Sequence, residues 1–150
     1  MLTIAAIVAI GAVIAALMPA ISRAGNALVI SANVADERLS SRVEIIHATG
    51  QDAATVSEAW VKNTGAIRLD AITKTDVFFG PDTDFQRITY GGSGCSAPCW
   101  EYELENDTEW NPTATLHITI HLSTALAAGN TYYVKVVVAN GVEDSKFFTL

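Results

Sequence analysis

The sequence predicts an α+β protein: a long N-terminal hydrophobic helix over residues 1–41, followed by an antiparallel, immunoglobulin-like β-sandwich over residues 42–150. Three observations carry this reading. No charged side chain occurs from Met1 to Ser22, whereas every Lys, Arg, Asp and Glu lies from Arg23 onward. From Val43 the apolar residues recur with period two instead of helical spacing. Turn-forming clusters of Gly, Asn and Pro then punctuate the chain at short intervals, as in all-β sandwiches.

The first element is the apolar run. As a helix, Met1–Ser22 spans about 33 Å, the thickness of a hydrocarbon core. A secretory signal needs a basic region before its apolar core. None precedes Leu2, and the run starts at its most apolar, as though a basic leader had been removed. Helical spacing continues past Arg23 through Ala24–Leu39, which argues against cleavage near Ala20. Two readings stay open, a plain membrane anchor and an assembly helix. For the second, the apolar residues Leu2, Ile4, Ile7 and Val8 provide the contact surface. The small residues Ala5, Ala9, Ala12, Ala15 and Ala16 would let neighbouring helices approach closely, and Gly11 adds a soft point to the rod. Pro19 removes one backbone hydrogen bond and is expected to kink or locally melt the rod.

The remaining residues suffice for one core. The net charge of −7 falls entirely on this part of the chain, which excludes a nucleic-acid footprint. Eight strands are expected: Arg42–Ala48, Thr55–Lys62, Lys74–Phe79, Phe85–Tyr90, Trp100–Glu105, Ala114–Leu122, Tyr132–Val138 and Ser145–Thr149. The sixth is the clearest, with Leu116, Ile118 and Ile120 alternating with Thr and His. Asn63-Thr64-Gly65, Gly80-Pro81-Asp82, Asn111-Pro112, Gly129-Asn130 and Asn140-Gly141 separate the strands; the last is the strongest hairpin signal.

Candidate chemistry is sparse. Cys95 and Cys99, in Gly-Ser-Gly-Cys-Ser-Ala-Pro-Cys, read as a disulfide or as half of a metal site. No further Cys or His lies nearby to complete four zinc ligands, so a disulfide that stiffens a glycine-rich loop is expected. His117 and His121 share a strand face, yet strand rise separates them by about 13 Å, too far for one ion, and both read as solvated. Asp82 and Asp84 read as ordinary turn residues, and Glu101, Glu103 and Glu105 as a solubilising stripe. Asn106-Asp107-Thr108 is an acceptor sequence for N-glycosylation at Asn106. No nucleophile is paired with a base, so neither an enzyme nor a cofactor or metal is expected. A membrane-anchored binding module would need an exposed recognition patch, for which Trp100 beside Cys99 is the candidate.

The order of features resembles the archaellin, or type IV pilin-like, superfamily of archaeal motility filaments, most closely its archaellar protein G branch. The resemblance spans nearly the whole chain: the uncharged helix, Trp60-Val61-Lys62-Asn63-Thr64-Gly65, Trp110-Asn111-Pro112, and Ala139-Asn140-Gly141-Val142-Glu143-Asp144 before the last strand. The Gly91–Cys99 insertion departs from that pattern. The resemblance implies an extracellular structural subunit that resides in the membrane as a precursor, then polymerises through its helix into a helical homo-oligomer. Other archaellar subunits and the surface layer are the implied partners. The protein G branch implies instead a component of the motor base.

Overall fold

The computed structural model describes the backbone of Leu2–Leu150 and the side chains from Leu17 onward. Helix α1 runs Leu2–Ser40 and continues through Pro19 without interruption, so the expected local melting does not occur. Proline tolerates this because it removes a single hydrogen bond in a long helix. The side chains of Leu2, Ile4, Ala5, Ile7, Val8, Ala9, Gly11, Ala12, Ala15 and Ala16 lie outside the described residues. Among the described residues no helix is long and apolar enough to cross a membrane. The chain divides into two compact units, Met1–Asp36 and Glu37–Leu150. In the first, Leu17, Met18, Ile21, Leu28, Val29, Ile30 and Val34 are exposed, which leaves an apolar surface uncovered within the single chain.

The second unit holds the last helical turn and eight strands: β1 Val43–Gly50, β2 Val56–Asn63, β3 Asp76–Pro81, β4 Gln86–Tyr90, β5 Cys99–Leu104, β6 Thr115–His121, β7 Thr131–Val137 and β8 Glu143–Thr149. They hydrogen-bond in the order β1-β2-β6-β5-β4-β3-β7-β8. The fold is β-sandwich-like, but the fully antiparallel expectation is corrected. β4 pairs antiparallel with β3 over Val77–Phe79 and parallel with β5 at Thr89 and Tyr90, so the sheet is mixed. The reason is the Gly91–Pro98 segment, which returns β5 in the direction of β4 instead of reversing it as a two-residue hairpin would.

Alternation fixes which side of each strand faces inward. Leu116, Ile118 and Ile120 of β6, Val134 and Val136 of β7, and Val61 of β2 are all buried, together with Phe79, Trp100 and Trp110. Trp100 is fully buried, so it is a core residue and not the exposed recognition patch considered above. The edge strands β1 and β8 meet through side chains. A bulge between Ile45 and His47 breaks the β1 ladder. There the Ile45 N–H donates to Asp144 Oδ2 at 2.7 Å, while Lys146 Nζ donates to the carbonyls of Ile45 at 3.2 Å and Ile46 at 2.9 Å. Charged side chains thus satisfy the backbone groups that the bulge orphans.

Candidate functional site at the helix end

Residues 37–42 end the helix and lead into β1, and two turns converge on them. Asn63 closes β2 and is fully buried. An amide in that position must find partners for all its polar atoms, and it does. Its Nδ2 donates to the carbonyls of Ile67 at 2.9 Å and Trp110 at 3.0 Å, and its Oδ1 accepts from the Gly65 N–H at 3.0 Å. Its backbone N–H reaches the Ala114 carbonyl at 2.9 Å, and its carbonyl accepts from Thr113 at 2.8 Å. The turn after it then grips the chain leaving the helix. The N–H groups of Thr64 and Gly65 donate to the Arg42 carbonyl at 2.9 and 3.0 Å, and that of Ala66 donates to the Ser40 carbonyl at 2.8 Å. Gly65 is required by proximity: a Cβ there would lie 2.7 Å from the Ser40 carbonyl oxygen.

The β7–β8 turn holds the same segment from another direction. Arg38 Nε donates to the Asn140 carbonyl at 2.8 Å, and Asn140 Nδ2 donates to Ser41 Oγ at 2.7 Å. Ser41 Oγ in turn donates to the Glu37 carbonyl at 2.6 Å, satisfying one of the acceptors that a helix end leaves open. Asn140 Oδ1 accepts from the Val142 N–H at 3.2 Å. Gly141 adopts φ of 85°, and a Cβ there would meet the Arg38 guanidinium at 3.3 Å. The positive φ of the turn favours glycine here.

The turns at Asn63-Thr64-Gly65 and Asn140-Gly141-Val142 therefore form one clasp around the last helical turn, and the Trp110 carbonyl braces the first of them through Asn63. Sequence reading found each as a separate breaker and missed their convergence, as well as the parts played by Arg38 and Ser41. The available signal was two asparagine turns far apart in sequence beside a helix whose last turn carries an arginine.

The other candidate residues fall elsewhere. Cys95 and Cys99 are paired as a disulfide with Cα atoms 6.3 Å apart. Gly91 packs against the Cβ atoms of both. Asn106 is exposed at the β5–β6 turn, and its Oδ1 accepts from the Thr115 N–H at 3.0 Å. Asp82 and Asp84 sit in the β3–β4 turn, where the Asp84 N–H donates to the Pro81 carbonyl at 3.0 Å.

The histidines are drawn into contacts that their solvated reading did not foresee. Trp60 stacks on His117 with centroids 4.4 Å apart and donates to Glu105 Oε1 at 3.1 Å. His117 Nε2 lies 3.2 Å from Glu58 Oε1 but is buried without a hydrogen bond to it. His121 Nε2 meets Glu101 Oε1 at 2.9 Å. That hydrogen bond, seconded by the Gly94 N–H, holds the Glu101 carboxyl below the usual glutamate range. Among the described residues no cluster is arranged to hold a metal ion.

The archaeal-type flagellin family model matches residues 1–147, and the chain belongs to that family. It is 28% identical over 156 residues to an uncharacterized protein of Archaeoglobus fulgidus, covering 99% of this chain and 93% of that one. Among solved structures it is similar to the archaellum periplasmic stator protein FlaG of Sulfolobus acidocaldarius, with a TM-score of 0.63 and 27% identity over 72% of this chain and 99% of that chain. It shares its fold with the archaeal flagellum of Methanospirillum hungatei, with a TM-score of 0.67 and 13% identity over 99% of this chain and 90% of that chain. The family is one of structural subunits, so the protein is not an enzyme.

Proposed function

We propose that this chain is a structural subunit of an archaellum-type surface filament, with residues 1–41 as the assembly helix and 42–150 as the outer domain. The observation that carries the reading is a 39-residue helix whose described apolar side chains are uncovered, in a chain of the archaeal-type flagellin family. So much uncovered apolar helix surface needs lipid or other helices around it, and small residues favour the second. The reading extends to a precursor held in the membrane by the same helix, and to homo-oligomeric assembly at the cell surface. The clasp supports a mechanical role, because it fastens the end of the helix to the sandwich through hydrogen bonds from the turns at Ala66 and Asn140. The immunoglobulin-like reading of the sandwich rests on its strand count and on alternating burial along each strand. Deleting the gene is expected to abolish surface filaments and motility and leave growth unchanged.

A second reading is favoured by one observation: the 27% identity to a stator protein over nearly all of that protein's structure exceeds the 13% identity to a filament. In that case the chain serves the base of the motor. Cells lacking it would keep filaments that neither rotate nor stay anchored.

A further inference from the structure

Residues 1–36 contain two charged side chains, one of each sign: Arg23 and Asp36. Both are exposed, and neither has an ion-pair partner among the described residues. On a helix the reachable partners lie three or four positions away, and no residue at those positions carries the charge opposite to either. Arg38, the next cation along the chain, is already held by the Asn140 carbonyl.

Arg23 and Asp36 cannot meet each other within one copy. Helix α1 runs unbroken through both, so the 13 positions between them amount to about 20 Å of rise, against the ~4 Å of an ion pair. At 3.6 residues per turn their side chains also point about 140° apart around the axis, onto opposed faces. The surface around Arg23 is apolar, with Leu17, Met18, Ile21, Leu28, Val29 and Ile30 all exposed. When that surface is covered by other helices, a guanidinium left without an anion carries a large desolvation cost.

We propose that Arg23 pairs with Asp36 of a second copy of this chain, lying parallel and displaced by about 20 Å toward the N-terminus of the first, an inference that rests on the filament reading above. The apolar side chains supply the contact area, and the ion pair sets the axial step, since a slip of one helical turn separates the two charges. The opposed faces decide what kind of contact this is. An antiparallel pair of helices could join both charges at once only if they shared a face, and they do not. Each copy instead gives Arg23 to one neighbour and Asp36 to another, a heterologous contact that propagates without closing.

The test is complementation between two full-length variants, Arg23→Asp and Asp36→Arg, read as the concentration at which fibres form after detergent is removed. Each variant alone places like charges at the contact, and its threshold is expected to rise about a hundredfold. In an equal mixture, position 23 of each variant finds the opposite charge at position 36 of the other, so the threshold should return to within about threefold of the unmodified chain. A variant that had merely misfolded would gain nothing from mixing. Either variant assembling alone at the unmodified threshold, or a mixture no better than its components, overturns the proposal. So does rescue of Arg23→Asp by Glu37→Arg but not by Asp36→Arg. Fibres of the unmodified chain without complementation refute the pairing and leave the filament reading intact, whereas discrete particles from the unmodified chain refute that reading and the pairing with it.

Discussion

Asn63 shows how one side chain can organise a junction. It is fully buried with its amide hydrogens and oxygen all bonded, so Asn63→Ala strands the Ile67 carbonyl, whereas the Trp110 carbonyl keeps the Leu69 N–H and the Gly65 N–H keeps the Arg42 carbonyl. An acceptor left without its partner costs about 1–3 kcal/mol before relaxation, so the variant should lose about 2 kcal/mol, read as a fall of roughly 5 °C or more in melting temperature. A loss within a degree or two would show that Asn63 merely fills space. Glu101 gives a pH prediction. Its carboxyl titrates below the ordinary value of 4.5 because His121 and the Gly94 N–H favour the ionised form. A depressed acid contributes stability above its unfolded value, and loses that contribution as pH falls through its folded one. The domain should therefore weaken below about pH 4.5, and Glu101→Gln should weaken less steeply over the same acid range. Parallel melting curves for the two proteins from pH 5 downward would remove this assignment.

At the scale of elements, the eight strands were legible because each carries its alternation locally. Leu116, Ile118 and Ile120 need no knowledge of their neighbours to declare a buried face. Strand direction was not legible in the same way. The parallel β4–β5 pairing depends on how the Gly91–Pro98 segment travels, and its glycines permit several routes. The clasp was hidden for a similar reason. Arg38 and Asn140 are 102 positions apart, and nothing local to either announces the other. The helix end yields a testable consequence. A fragment beginning at Glu37 keeps Arg38 and Ser41 in the clasp, whereas one beginning at Val43 loses both. The longer fragment should be more stable by about 2 kcal/mol, because the shorter leaves the Asn140 amide and carbonyl without those partners. Equal chemical denaturation midpoints would show that the clasp is incidental.

For the whole molecule, the claim is a division of labour: the helix assembles and the sandwich covers. The charge-free run and the acidic remainder made that division readable before any coordinates. Ile10→Lys places an ammonium in a run that has no charged residue to pair with it. Buried in a helix bundle it costs several kcal/mol, so the variant should fail to polymerise while its outer domain stays folded. Normal assembly of that variant would mean that position 10 is not enclosed. The most direct measurement of the central claim is electron microscopy of the purified full chain beside the fragment from Glu37 onward. The account predicts helical fibres from the full chain and dispersed single domains from the fragment. Fibres from the fragment, or only discrete particles from the full chain, would contradict it.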